Sequence, residues 1–162
     1  DLKDFNSYPA TVKELIQKAT LLTHQNLTYK YGSANPNQGG MDCSGTVHYL
    51  LNVMGAHAPR DAYDMYLWVK ANQTFYAVND HDFQSKEFSN LQPGDLLFWT
   101  GTYSVHHNPP VSHVMIYLGK NNQGQPVMFG ASDGRTYEGR RMWGVSIFDF
   151  KLPQATAKSR FI

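Results

Sequence analysis

A single cysteine, Cys43, lies in the run Met41-Asp42-Cys43-Ser44-Gly45, directly ahead of a helical apolar pattern. One thiol cannot form an internal disulfide, nor supply the cysteine pair that structural zinc sites commonly use. It is therefore either a small buried hydrophobe or a nucleophile. Its neighbours favour the nucleophile. Val47, Leu50, Leu51 and Met54 recur at i, i+3, i+4 and i+7 with Gly55 as a stop, which predicts a helix over 43–54. Asp42 or Ser44 can cap its start. Cys43 then stands in or beside the first turn, where unpaired N–H groups and the helix dipole favour a thiolate and predict a lowered thiol pKa.

A nucleophilic thiol needs a base, usually a histidine brought to it by the fold. The chain has seven. His48, at i+5 from Cys43, points well around the helix from the thiol. His24, His57 and His81 lie in or beside polar connections, and His106 and His107 precede Asn108-Pro109-Pro110 in a predicted loop. His113 differs, because it begins the apolar run 114–118 and shares a strand face with Met115 and Tyr117. A strand gives a base rigid support. No HExxH-type spacing is present, so no metal or other cofactor is expected.

The rest of the chain must position these groups. With 162 residues, 41% hydrophobic and 17% charged, it suits one domain with a core of its own. A net charge of +1 and the lack of a Lys/Arg run leave no nucleic-acid footprint. No stretch approaches the about 20 apolar residues of a membrane span. The opening Asp1-Leu2-Lys3-Asp4 carries neither an initiator Met nor a signal-peptide pattern and reads as a processed or trimmed form.

Thr11-Val12-Lys13-Glu14 reads as a capping box for a first helix with Val12, Leu15, Ile16, Ala19 and Leu22 on its apolar face. Residues 32–41 are loop by composition. A short helix is expected over 61–71, then mostly loop to residue 90 with some strand near 75–78. Strands follow at 95–99, 114–118, 127–131 and 145–150, with turns at Pro93-Gly94 and 121–124, and a polar tail from Pro153. Helices first and antiparallel strands afterwards indicate an α+β fold.

Three blocks in order now carry a family resemblance: Asp42-Cys43-Ser44-Gly45, then Leu91-Gln92-Pro93-Gly94-Asp95-Leu96, then Ser112-His113-Val114-Met115-Ile116-Tyr117-Leu118-Gly119. With Thr28-Tyr29-Lys30-Tyr31-Gly32 upstream and Pro59-Arg60 between, the chain resembles the NlpC/P60 family of papain-like cysteine peptidases over about 28–132. The resemblance implies a papain-like α+β fold, N-terminal helices with the nucleophile at a helix start packed on an antiparallel sheet. It implies one catalytic domain over 1–162, with a motif-bearing core of about 28–150 and a tail at 153–162. Cys43 would be the nucleophile and His113 the general base and then acid, with the Cys43 N–H helping to hold the oxyanion. Tyr29 matches the family tyrosine that approaches the thiol and the reacting carbonyl. Asp42 and Ser44 match residues that bind the free amino end and backbone of a cell-wall peptide. Helix capping by those two stays an equally open reading, and both roles are compatible.

Two features depart from the family pattern. A polar residue on the strand after the base usually orients the imidazole, but aligning Met128-Phe129-Gly130-Ala131-Ser132 puts Gly130 at that position. Ser132, on the same strand face, or Asp133 could take over; a backbone carbonyl, a water or no side chain are the alternatives. The connection from Pro59-Arg60 to Leu91 is also long and includes Asp80-His81-Asp82-Phe83; inserted loops over papain-like clefts commonly narrow substrate choice.

By resemblance, the activity is hydrolysis of peptidoglycan stem peptides at the bond from D-γ-glutamyl to meso-diaminopimelate or lysine. The protein would work as a monomer, secreted to the periplasm or outside the cell. An amidase at the sugar–peptide junction, an acyltransferase and a degenerate wall-binding module are the alternatives.

Overall fold

The structure, a computed structural model, describes residues 2–75, 91–102, 104–150 and 160–161. His81 and most of the strand expected near 75–78 lie outside the described residues. Three helices, α1 (Ala10–Thr23), α2 (Cys43–Val53) and α3 (Ala62–Ala71), precede the main sheet. Its strands are β3 (Leu96–Thr100), β4 (Val111–Lys120), β5 (Pro126–Tyr137), β6 (Arg140–Asp149) and β7 (Arg160–Phe161). They run antiparallel in the order β6-β5-β4-β3-β7. Two short strands, β1 (Thr28–Tyr29) and β2 (Gly40–Met41), pair in parallel beside α2. The α+β architecture is the one the order of elements predicted. No helix among the described residues is long and apolar enough to cross a membrane.

The α1 stripe buries Leu15, Ile16, Ala19 and Leu22 as its spacing predicts. Its capping box does not form. The helix starts at Ala10, so Thr11 already lies inside the first turn, and the Pro9 carbonyl accepts the Lys13 N–H at 3.0 Å.

β4 is buried on both faces, which is why it reads as an unbroken apolar run instead of an alternating one. Val114, Ile116 and Leu118 pack into the core that holds Val47 and Leu50 of α2. Met115 and Tyr117 pack on the other face with Leu97, Trp99, Met128, Phe148 and Phe150.

The hairpin of β5 and β6 extends far beyond the two short strands expected. It closes at Glu138 (φ 48°) and Gly139 (φ 80°), both left-handed, the geometry of a type I′ turn. Asn-Gly or Asp-Gly is the usual signal for that turn, and Glu-Gly conceals it. Along the hairpin the pairing moves from Ser132↔Gly144 to Arg135↔Met142, so β5 carries one extra residue, a β-bulge. The tail expected from Pro153 ends in β7, whose residues pair with Trp99 and Thr100 at the β3 edge.

Candidate active site

Asp42 is the N-cap of α2, and its carboxylate is fully used. Oδ1 accepts the Gly45 N–H at 2.6 Å and the Ser44 hydroxyl at 3.4 Å. Oδ2 accepts the Gly32 N–H at 2.8 Å and Arg60 Nη2 at 3.0 Å. The Asp42 carbonyl takes the Thr46 N–H at 2.9 Å. Ser44 is not a cap; its hydroxyl accepts Arg60 Nη1 at 2.9 Å. Arg60 therefore clamps the residues on both sides of Cys43. His48 serves this clamp from α2: its Nδ1–H donates to the carbonyls of Ala58 (2.9 Å) and Pro59 (3.1 Å), fixing the segment that delivers Arg60.

Cys43 is 3% exposed. Its sulfur lies 4.0 Å from the Ser112 carbonyl oxygen and faces the Val114 N–H, so the thiol rests against the β4 backbone on either side of His113. The Thr102 N–H donates to Ser112 Oγ at 3.0 Å and holds that stretch in place. His113 is 6% exposed and its Nε2 has no hydrogen-bond partner. Its ring lies 5.3 Å from that of Trp99. Among the described residues no hydrogen bond joins the thiol to the imidazole. Tyr29, Asp42, Cys43 and Ser44 do come together, lining one cleft of about 280 Å³ with Tyr31, Gly32, Arg60 and Asp61. His113 stands on the β4 side of the thiol, outside that lining. A larger, apolar groove of about 980 Å³ between the N-terminal segment, α1 and the sheet contains none of these residues.

The NlpC/P60 family model matches residues 26–139, a span that contains the cleft residues and His113. The chain belongs to the NlpC/P60 family. The fold agrees with a crystal structure from Staphylococcus aureus subsp. aureus Mu50, described as similar to a lipoprotein of the NLP/P60 family, at a TM-score of 0.57 and 22% identity. That likeness covers 88% of this chain and 43% of the other, so the chain spans less than half of that protein. No curated protein matches the sequence significantly.

In this NlpC/P60 domain the expected orienting side chains do not engage the imidazole. Ser132 is buried but makes no side-chain hydrogen bond to His113, and Asp133 is exposed in a separate groove with Thr28 and Trp143. Gly130 stands beside Met115, not His113: a Cβ there would lie 3.0 Å from Met115 Sδ. The charged group that acts on the pair is Arg135, which the sequence reading did not single out. The bulge shifts the strand phase by one residue and turns Arg135 to the face of Trp99, where its guanidinium carbon sits 5.1 Å from the ring centre. A period-two count along β5 puts residue 135 on the opposite face, so no sequence pattern pointed to it.

Burial also reverses one expectation. The Cys43 thiol pKa is raised, above all by burial and further by Asp42, although the N–H groups of Val114, Ser44 and Cys43 itself favour the charged form. The helix start thus acts in the predicted direction, and desolvation outweighs it. His113 is held well below its ordinary value by burial first and the Arg135 charge second. The resting pair is a neutral thiol and a neutral imidazole.

Two pH-dependent results follow from that state. Iodoacetamide should alkylate Cys43 slowly near neutral pH, with the rate climbing only above the ordinary thiol value of 9.0; fast reaction in mild acid would contradict a buried thiol. Unfolded His113 takes its proton near pH 6.5, the folded imidazole only well below it, so protonation favours the unfolded chain. The stability this contributes is full above 6.5 and is lost as pH falls. Urea titrations should show a slope of up to about 1.4 kcal/mol per pH unit from this one group. His113→Gln should lower the measured slope by that amount, and an unchanged slope would refute the assignment.

Proposed function

We propose that this protein is a cysteine peptidase that cuts peptidoglycan stem peptides outside the cytoplasm, at the bond from D-γ-glutamyl to a diamino acid. Members of the family are generally cysteine peptidases, and a cell-wall peptide is the substrate class the family suggests. The observation that carries the reading is the thiol itself. Cys43 begins α2 within a polar cleft, and its sulfur lies against the β4 backbone that bears His113.

The chemistry follows from these positions. On substrate binding the Cys43 side chain turns from the Ser112 carbonyl towards His113, whose neutral imidazole takes the thiol proton as sulfur attacks the scissile carbonyl. Asp42 already uses the N–H groups of Gly45 and Thr46, whereas those of Cys43 and Ser44 face the sulfur. That second pair is free to stabilise the oxyanion. Burial and Arg135 both disfavour a charged His113, so the imidazolium readily passes its proton to the leaving amine. Water then hydrolyses the thioester with His113 again as base. At the other end of the cleft, the 3.4 Å bond from Ser44 is the weakest of the four contacts on the Asp42 carboxylate. A substrate ammonium displaces that one.

A second reading, a module that binds stem peptides without cutting them, draws on the lack of a hydrogen bond between Cys43 and His113. Incubation with purified muropeptides, followed by mass spectrometry, separates the two. The peptidase leaves the sugar carrying a dipeptide that ends in glutamate and releases a fragment with a new diamino-acid amine. Cleavage at the sugar–peptide junction would place it among amidases, and muropeptides that stay intact yet bind the protein in a calorimeter would favour the binding module.

A further inference from the structure

We propose that Arg135 is the receptor for a substrate carboxylate: the free α-carboxylate of the γ-linked glutamyl residue, three carbons from the scissile carbonyl. This rests on the peptidase reading. The guanidinium is half-buried, yet among the described residues it makes no hydrogen bond and no ion pair. Five N–H donors held partly out of water without a protein acceptor are costly, and a carboxylate that accepts two of them offsets that cost.

Its position is fixed, too. Arg135 stacks on Trp99, which is 0% exposed, and Trp99 in turn lies against the His113 ring and pairs with His113 across the β3–β4 ladder. A guanidinium seated on an aromatic face loses little further freedom when it closes its planar fork on a carboxylate. Its charge reaches both Cys43 and His113, the groups between which the reacting carbonyl must sit. An α-linked residue with an uncharged side chain presents no carboxylate at that distance. An amidated stem peptide, with isoglutamine in place of glutamate, presents a carboxamide that cannot make the charged pair.

Two synthetic stem peptides, identical except for D-glutamate or D-isoglutamine at the second position, test this. Wild type should favour the carboxylate peptide by about tenfold or more in kcat/KM. Arg135→Gln should bring the ratio near one, and Arg135→Lys should leave part of the preference; thermal unfolding checks that both variants fold. Equal use of the two peptides by wild type overturns the proposal. So does an Arg135→Gln enzyme that slows on both peptides while keeping the preference, because the charge would then serve the thiol or the oxyanion. The Cys43→Ala protein supplies a readout without turnover, binding the two peptides in a calorimeter with the same expected preference. If wild type cuts neither peptide, the peptidase reading falls, and that binding ratio alone decides the role of Arg135.

Discussion

Cys43→Ala should lower turnover of muropeptides by about 10⁴-fold or more while leaving the protein folded. Cys43 is the only thiol in the chain, so no neighbouring sulfur can substitute for it. The position is buried and a methyl group fits the space of the sulfur, while the one contact of the thiol to an acceptor is long, 4.0 Å to the Ser112 carbonyl. Loss of that sulfur should cost about 1 kcal/mol of stability, the low end of core truncations. Activity and stability should therefore separate cleanly. His113→Ala should show a loss of similar size, and the double variant should be no worse than either single one, because nucleophile and base act as a unit. Muropeptide turnover by mass and thermal melts of the three proteins check this. Retained cleavage by Cys43→Ala would place the chemistry elsewhere.

Gly45→Ala should destabilise the domain by about 3 kcal/mol or more and disable the site, although it replaces glycine in a helix. Intrinsic propensity alone favours alanine by about 1 kcal/mol. Sterics oppose it far more strongly. A Cβ at Gly45 would lie 2.1 Å from the Ser33 carbonyl oxygen and 2.9 Å from its carbon, both backbone, and 2.7 Å from Asp42 Oδ1. The Ser33 carbonyl cannot simply retreat, because it accepts the Asp42 N–H at 3.1 Å. Pushing it away opens the turn that carries Gly32 onto Asp42, and moving Asp42 breaks the cap and the Arg60 ion pair together. The glycine after the Asp-Cys-Ser triplet is thus a packing requirement of the site. Urea denaturation measures the stability change; a Gly45→Ala protein as stable as wild type and fully active would show that the Ser33 turn can move freely.

Some of this was legible because it depends on local periodicity. The stripe of Leu15, Ile16, Ala19 and Leu22 predicted α1, and the run after Cys43 predicted α2 and put the thiol in its first turn. The apolar run after His113 predicted β4 because both faces of that strand are buried. Other elements gave too little signal. β1 and β2 have two residues each, fewer than one period of alternation needs. The Glu138-Gly139 turn used a residue seldom left-handed, which hid the outer half of the β5–β6 hairpin. The Thr11 to Glu14 pattern matched a capping box, yet the chain enters α1 two residues earlier, with Pro9 as the N-cap.

For the site the division is similar. The place of Cys43 at a helix start, the strand that bears His113 and a cap from either Asp42 or Ser44 were determined by the sequence alone, since each depends on residues within a turn or two of one another; the structure chose Asp42. Only the tertiary structure decided the rest: the clamp of Arg60 on Asp42 and Ser44, the rise of the thiol pKa, the neutral His113, and the arrival of Arg135 over the Trp99 ring. The reason is physical. A first-turn N–H acts on a thiol whatever else surrounds it, but desolvation depends on how many distant atoms close over the sulfur. The face on which Arg135 emerges depends on one extra residue in β5, set by pairing with β6.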